Sequence, residues 1–145
     1  MRKWTLGELG LVDRILVADD EPDIVNLAKV ILEGEGYQVS VASNGVEALR
    51  KAEAELPDLI LLDVIMPAKS GWEVCKTLKS QDKTKHIPVV IFTVLSKPLG
   101  DDVSRMRAEE AGCDGYLAKP FTPEGLLAEV KKHLDQARVQ RLSAP

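Results

Sequence analysis

Short apolar runs recur along the chain, and each is followed by a stretch whose apolar positions fall three and four apart. The runs are RILVA (14–18), YQVSVA (37–42), LILLD (59–63), VVIF (89–92) and GYLA (115–118). Near-continuous apolar runs this short suit strands covered on both faces, as in parallel sheets. YQVSVA alternates more, which places that strand toward an edge. Between the runs the period is helical. After Pro22, an apolar stripe of Ile24, Leu27, Ala28, Ile31 and Leu32 is ended by Gly34 and Gly36. GVEALRKAEAE presents Val46, Ala48, Leu49 and Ala52 and stops at Pro57. GWEVCKTLKS presents Trp72, Val74, Cys75 and Leu78, and DDVSRMRAEEAG predicts a helix that stops at Gly112. TPEGLLAEVKKHL has a Thr cap, a Pro in its first turn and Glu124 nearby. Its pattern runs to about Arg141 and leaves LSAP frayed.

Strands alternating with helices predict an α/β fold with right-handed crossovers. Residues 1–12 precede the first strand and are expected to form an appended segment, with Trp4 and Leu6 packing on the body. Residues 13–136 form the domain, and 137–145 the end of the last helix and a tail. No repeat or low-complexity tract interrupts this order, and no second domain fits.

Composition narrows the class without naming it. A chain of 145 residues suits one domain, and 45% hydrophobic with 29% charged residues is ordinary for a globular protein. A formal net charge of −4 argues against a nucleic-acid-binding surface. Cys75 and Cys113 lack metal-ligand spacing and read as two reduced thiols in a reducing compartment. No apolar run approaches a membrane span, and MRKWTLGELG lacks the apolar region of a signal peptide. A cytoplasmic location is the expectation.

The chemistry gathers where the strands stop. In ILVADDEPD (15–23), Asp19, Asp20 and Glu21 follow a buried strand directly. Like charges repel there, and burial raises the cost. A solvated turn with a helix cap is one explanation; a cation site is the other. In open α/β sheets, ligands bind beyond the carboxyl ends of the strands. Asp63 ends the third strand, Thr93 follows the fourth, Lys119 follows the fifth, and Ser43 and Asn44 follow the second. Singly these are ordinary cap, turn or solvated residues. Together, oxygen ligands for a hard cation such as Mg²⁺ stand near a hydroxyl and an ammonium that bind an anion, and the set makes a phosphoryl site.

In this order LVADDE, DVIMPAKSG, VIFT and GYLAKPF resemble the receiver domain of two-component response regulators, over about residues 14–134. The resemblance implies a doubly wound five-stranded parallel sheet of order 2-1-3-4-5 with helices on both faces. It implies that Asp63 is the phosphoacceptor for a histidine kinase or histidine phosphotransfer protein. Asp20 resembles the main Mg²⁺ ligand and Asp19 its neighbour acting through a water; Asp63 and the Ile65 backbone carbonyl complete the set, with Mn²⁺ able to substitute. Thr93 and Lys119 resemble the phosphoryl-binding hydroxyl and ammonium, and Tyr116 the aromatic switch. Pro120 resembles the residue that follows a cis Lys-Pro bond, which orients the lysine.

The chain departs from the family pattern in places. LSKPLGDD (95–102) reads as a lengthened loop, either a tolerated insertion or an altered partner surface. Val94 stands where a small residue is usual and is expected to crowd Tyr116. Lys69 replaces a common apolar residue and reads as solvated. Ile65 and Leu95, two residues beyond Asp63 and Thr93, are both apolar. Neither can orient an attacking water, so a long-lived phosphoryl group is expected.

Three functions compete. The leading one is a phosphorylation-controlled switch whose output is protein binding, as a whole protein or as a piece of a longer regulator. No helix-turn-helix follows residue 141, so direct nucleic-acid binding is not expected, and a homodimer is compatible. The second is an aspartate-nucleophile phosphatase, which wants Asp-x-Asp on the first strand; ADDEPD does not place its acids so. The third is a degenerate receiver that binds partners without phosphorylation, against which the acidic pair, Asp63, Thr93 and Lys119 argue.

Overall fold

Ile15, Leu16, Val17 and Ala18 are all buried in strand β1 (Arg14–Ala18), because helices cover both faces of the sheet. The computed structural model describes residues 12–94 and 112–143, without the side chains of 93, 94 and 141–143. Helix α1 (Pro22–Gly34) follows, then β2 (Gln38–Ala42), α2 (Gly45–Glu55), β3 (Leu59–Asp63) and α3 (Gly71–Lys79). Strands β4 (Val89–Val94) and β5 (Gly115–Lys119) and helix α4 (Pro123–Ser143) complete the described chain. The strands pair in parallel in the order β2-β1-β3-β4-β5, which puts β2 at an edge as its alternation implied.

Successive strand residues point to opposite faces, and two cores result. Leu16, Ala18, Ile60, Leu62, Val89 and Ile91 pack with Ala48 and Ala52 of α2 and Val74, Cys75 and Leu78 of α3. Ile15, Val17, Leu59, Leu61, Val90 and Phe92 pack with Ala28 and Leu32 of α1 and Leu126, Val130 and Leu134 of α4. A continuous apolar run is therefore two interleaved core faces.

Two helix stripes differ from expectation. In α1 the buried residues are Val25, Ala28 and Leu32, while Leu27 is 47% exposed. In α2, Ala48 and Ala52 are buried, while Val46 is 52% exposed. The rest of each stripe faces the core as expected, with Ile24 and Ile31 of α1 and Leu49 of α2 packed against it, so only the edge of each stripe differs. The caps are clearer: Asn44 accepts from Glu47 N and Ser70 from Glu73 N, and Thr122 accepts from Gly125 N. Helix α4 runs two residues past the expected Arg141, without a break at 137, and Arg138 bonds Asp13. The appended segment with Trp4 and Leu6, the 95–102 loop, and the predicted helix before Gly112 lie outside the described residues. No helix among the described residues is long and apolar enough to cross a membrane.

Candidate functional site

Three strand ends meet in one place. Asp19 follows β1, Asp63 is the last residue of β3, and Lys119 is the last residue of β5. Ala18 lies opposite Leu62 in the β1–β3 pair, so the register sets Asp19 beside Asp63. β2 lies on the other side of β1, and this reversal of strand order opens a crevice beyond the carboxyl ends. Asp19, Asp63 and Lys119 expose 1%, 7% and 8% of their surfaces, so whatever charge they carry is held in a largely dry setting.

Lys119 Nζ lies 2.6 Å from Asp19 Oδ2, 3.4 Å from Asp63 Oδ1 and 3.7 Å from Glu21 Oε1. It also lies 5.4 Å from the centroid of the Phe92 ring, which stacks on Phe121. The other oxygen of Asp19, Oδ1, accepts from Glu21 N at 3.0 Å. Glu21 is the N-cap residue of α1, yet its side chain makes no capping bond. Helix capping therefore does not account for this acid. Carboxylate oxygens of Asp19, Asp20 and Glu21 come within 4.8 Å of one another, with Asp20 and Glu21 exposed.

Negative charge is in excess. Three carboxylates, those of Asp19, Glu21 and Asp63, face the Lys119 ammonium, and Asp20 adds a fourth beside Asp19 and Glu21. Burial, and then the charge of Asp19, push the Asp63 carboxyl up from 3.8 to about 7 against the pull of Lys119. Burial works to lower Lys119, but the Asp19 hydrogen bond and the charges of Asp63, Asp19 and Glu21 outweigh it, and the net direction is up. The lysine stays charged while Asp63 holds its proton more tightly than an ordinary aspartate. The acidic cluster offers oxygen donors and no sulfur or imidazole. That donor set and its charge excess fit a hard dication such as Mg²⁺ and do not fit a zinc or copper site.

The backbone behind Asp63 is tightly built. Gly71 N donates to Val64 O at 2.8 Å, and a Cβ at Gly71 would lie 2.1 Å from Asp63 O. A Cβ at Gly45 would lie 1.9 Å from Lys69 O, so α2 also presses on this loop. Ala68 takes φ 71°, an uncommon conformation for a residue with a Cβ.

Residues 15–131 match the response regulator receiver domain. The chain belongs to this family. It is 42% identical over 126 residues to the alkaline phosphatase synthesis transcriptional regulatory protein PhoP of Bacillus subtilis, covering 87% of this chain and 50% of that protein. It is 44% identical over 118 residues to the response regulator PleD of Caulobacter vibrioides, covering 81% of this chain and 25% of that protein. The chain thus spans half or less of the length of these two curated relatives. Among solved structures, the chemotaxis protein CheY4 of Vibrio cholerae matches with a TM-score of 0.76 at 32% identity, covering 83% of this chain and 98% of that one. A CheY-like receiver domain protein from Methanospirillum hungatei matches at 0.79 and 30% identity, covering 89% and 98%.

In this receiver domain, Asp19, Asp63 and Lys119 come into mutual contact range, with Asp20 beside them. The Lys119–Pro120 peptide is cis. Thr93 lies opposite Ala118 and Val94 opposite Lys119 at the end of β4; their side chains, and Leu95 entirely, lie outside the described residues. Tyr116 lies opposite Ile91, half-buried against the α2–α3 core. Ile65 is 81% exposed two residues beyond Asp63. Lys69, read as solvated, is half-buried. Two partners escaped the sequence reading. Glu21 stands in the acidic run with nothing in the sequence to tie it to Lys119. Phe92 ends the apolar run VVIF, and no local pattern signals that a lysine from another strand rests near its ring.

Proposed function

We propose that this receiver domain is a phosphorylation-controlled switch in two-component signalling, with Asp63 as the phosphoacceptor. One observation carries the reading: a buried lysine reaches both Asp19 and Asp63 at adjoining strand ends, next to an acidic cluster too negative for that lysine to balance. The donor is a phosphohistidine on a histidine kinase or a histidine phosphotransfer protein. A carboxylate oxygen of Asp63 forms a bond to phosphorus as the P–N bond breaks. The electron pair leaves with the imidazole nitrogen, which takes a proton from solvent.

Asp19, Asp20, Asp63 and the Ile65 carbonyl are the groups that would hold Mg²⁺, or Mn²⁺ in its place. When bound, the dication supplies charge neutralisation to carboxylates and phosphoryl oxygens that otherwise repel. Lys119 is already charged and placed, so it pairs with the new phosphoryl oxygens without a protonation step. A phosphoryl group brings about −1.5 to −2 charge to the site. That charge draws Lys119 away from Asp19 and engages the Thr93 hydroxyl. Tyr116 follows and changes the surface offered to an output protein. The domain, residues 13–136, thus accepts a group and changes state; it does not turn over a substrate in the conventional sense. Ile65 and Leu95 tune how long the state lasts.

The test is incubation with Mg²⁺ and an acyl phosphate, followed by intact mass. We expect the gain of one phosphoryl group in the wild type. Asp63→Asn should show none while keeping its melting transition, since the side chain is similar in size. Mapping of the group to another residue would refute the assignment. Steady hydrolysis of phosphate esters would favour a phosphatase, and no uptake a degenerate receiver.

A further inference from the structure

Away from the phosphoryl site, at the start of β5, the fold brings together two thiols 38 positions apart in sequence. Cys75 Sγ of α3 lies 2.8 Å from Cys113 Sγ. Cys75 is fully buried, and Cys113, two residues ahead of β5, is half-buried against the same core. A second tether runs alongside. Lys79, one turn after Cys75 on α3, bonds Asp114 Oδ2 at 2.7 Å, and Asp114 is the residue after Cys113. Asp114 is itself fixed to β4: Oδ2 accepts from Val89 N at 2.8 Å, and Asp114 N donates to Val89 O at 2.9 Å. The two sulfurs are therefore held face to face by backbone and ion-pair contacts that do not depend on them. A disulfide bond is about 2.05 Å long, so closure asks for a movement of roughly 0.8 Å.

We infer that Cys75 and Cys113 form a reversible intramolecular disulfide when an oxidant of the hydroperoxide class reaches them, stapling α3 to the start of β5. Half-buried Cys113 is the first sulfur to react. Its thiolate attacks the peroxide; an S–O bond forms, the O–O bond breaks, and the leaving oxygen takes up the thiol's proton and departs as alcohol, or as water when the oxidant is hydrogen peroxide. Cys75 Sγ then attacks Cys113 Sγ; the S–S bond forms, the S–O bond breaks, and water leaves with the remaining proton. Two thiols and one hydroperoxide become one disulfide, one alcohol and one water (two waters from hydrogen peroxide), with both electrons passing from sulfur to the peroxide oxygens. The hydrogen bond to Cys75, and then burial, push the Cys113 thiol well above its ordinary value, so few thiolates are present and the reaction is slow. This suits a staple set by sustained oxidation rather than a fast sensor. The bond would close a long loop without touching Asp63 or Lys119, and it should raise the melting temperature by several degrees.

The experiment exposes the full chain to hydrogen peroxide and reads intact mass without reductant. The expected result is loss of two hydrogens, a linked Cys75–Cys113 peptide after digestion, a higher melting temperature, and reversal of all three by dithiothreitol. Cys113→Ser should abolish the linked peptide and the shift; so should Cys75→Ser, or Cys75→Ala if the serine does not fold. Oxygen added to either sulfur with no linked peptide, disulfide-bonded dimers in place of the internal bond, or two thiols still alkylated after treatment would each overturn the proposal.

Discussion

Ile65 and Asp63 sit two residues apart and live in different environments. Asp63 exposes 7% of its surface, and burial with a neighbouring carboxylate makes it hold a proton until about pH 7. Ile65 exposes 81%, a large apolar group with little packing to contribute. Its removal should therefore cost the fold almost nothing, within about 0.5 kcal/mol as for most surface changes. Its effect should fall on chemistry. Hydrolysis of a phosphorylated Asp63 needs a water lined up with the breaking bond, and an apolar side chain cannot hold that water by a hydrogen bond. Ile65→Asn supplies a donor and an acceptor at that position. We expect the phosphorylated mass to decay several-fold faster in the variant after donor removal, with an unchanged melting temperature. Equal decay in the two proteins would remove Ile65 from the account.

The loop from β3 to α3 carries the tightest packing near the site, and its demands are those of an element rather than a side chain. Ser70 caps α3, Gly71 opens it, and the missing Cβ of Gly71 lets the helix start against the carbonyl of Asp63. A methyl group there, 2.1 Å from that oxygen, must displace either the helix or the strand end. Gly71→Ala should cost about 1–3 kcal/mol, the usual penalty of overpacking. It should also slow phosphoryl uptake by moving Asp63. A lower urea midpoint with normal uptake would show that the helix gives way and the strand end does not. At this scale the sequence was an uneven guide. Every described strand was legible because a strand buried on both faces is an unbroken apolar run. The stripe of α1 holds at Ile24, Ala28, Ile31 and Leu32, all in or against the core, and differs at one edge, where Leu27 is exposed and Val25 is buried. Only contact with the sheet selects Val25 over Leu27.

Across the whole molecule, the sheet does what no local pattern can: it brings Lys119 within 2.6 Å of a side chain 100 residues away. The candidate site was legible in advance because parallel strands place all their carboxyl ends at one edge, so strand-end residues are neighbours whatever their separation. The pairing inside that edge was not legible. Strand order and register put Lys119 closer to Asp19 than to Asp63 and draw Glu21 toward the lysine. The sulfur pair was hidden for the same reason, since a helix residue and a residue ahead of a strand carry no shared period. The same gathering of charge links fold to ligand. The four carboxylates of Asp19, Asp20, Glu21 and Asp63 repel one another in the folded chain and separate in the unfolded one. A dication that engages them only in the folded state must therefore stabilise it, by about 1.4 kcal/mol at ten times its dissociation constant. Melts of the wild type in Mg²⁺ and in chelator should differ accordingly by a few degrees. Asp20→Asn, which removes one of these repelling charges, should melt at or above the wild type in chelator yet lose most of the Mg²⁺ shift. A wild type that melts identically with saturating Mg²⁺ and without it would show that the cluster is balanced by Lys119 and solvent alone.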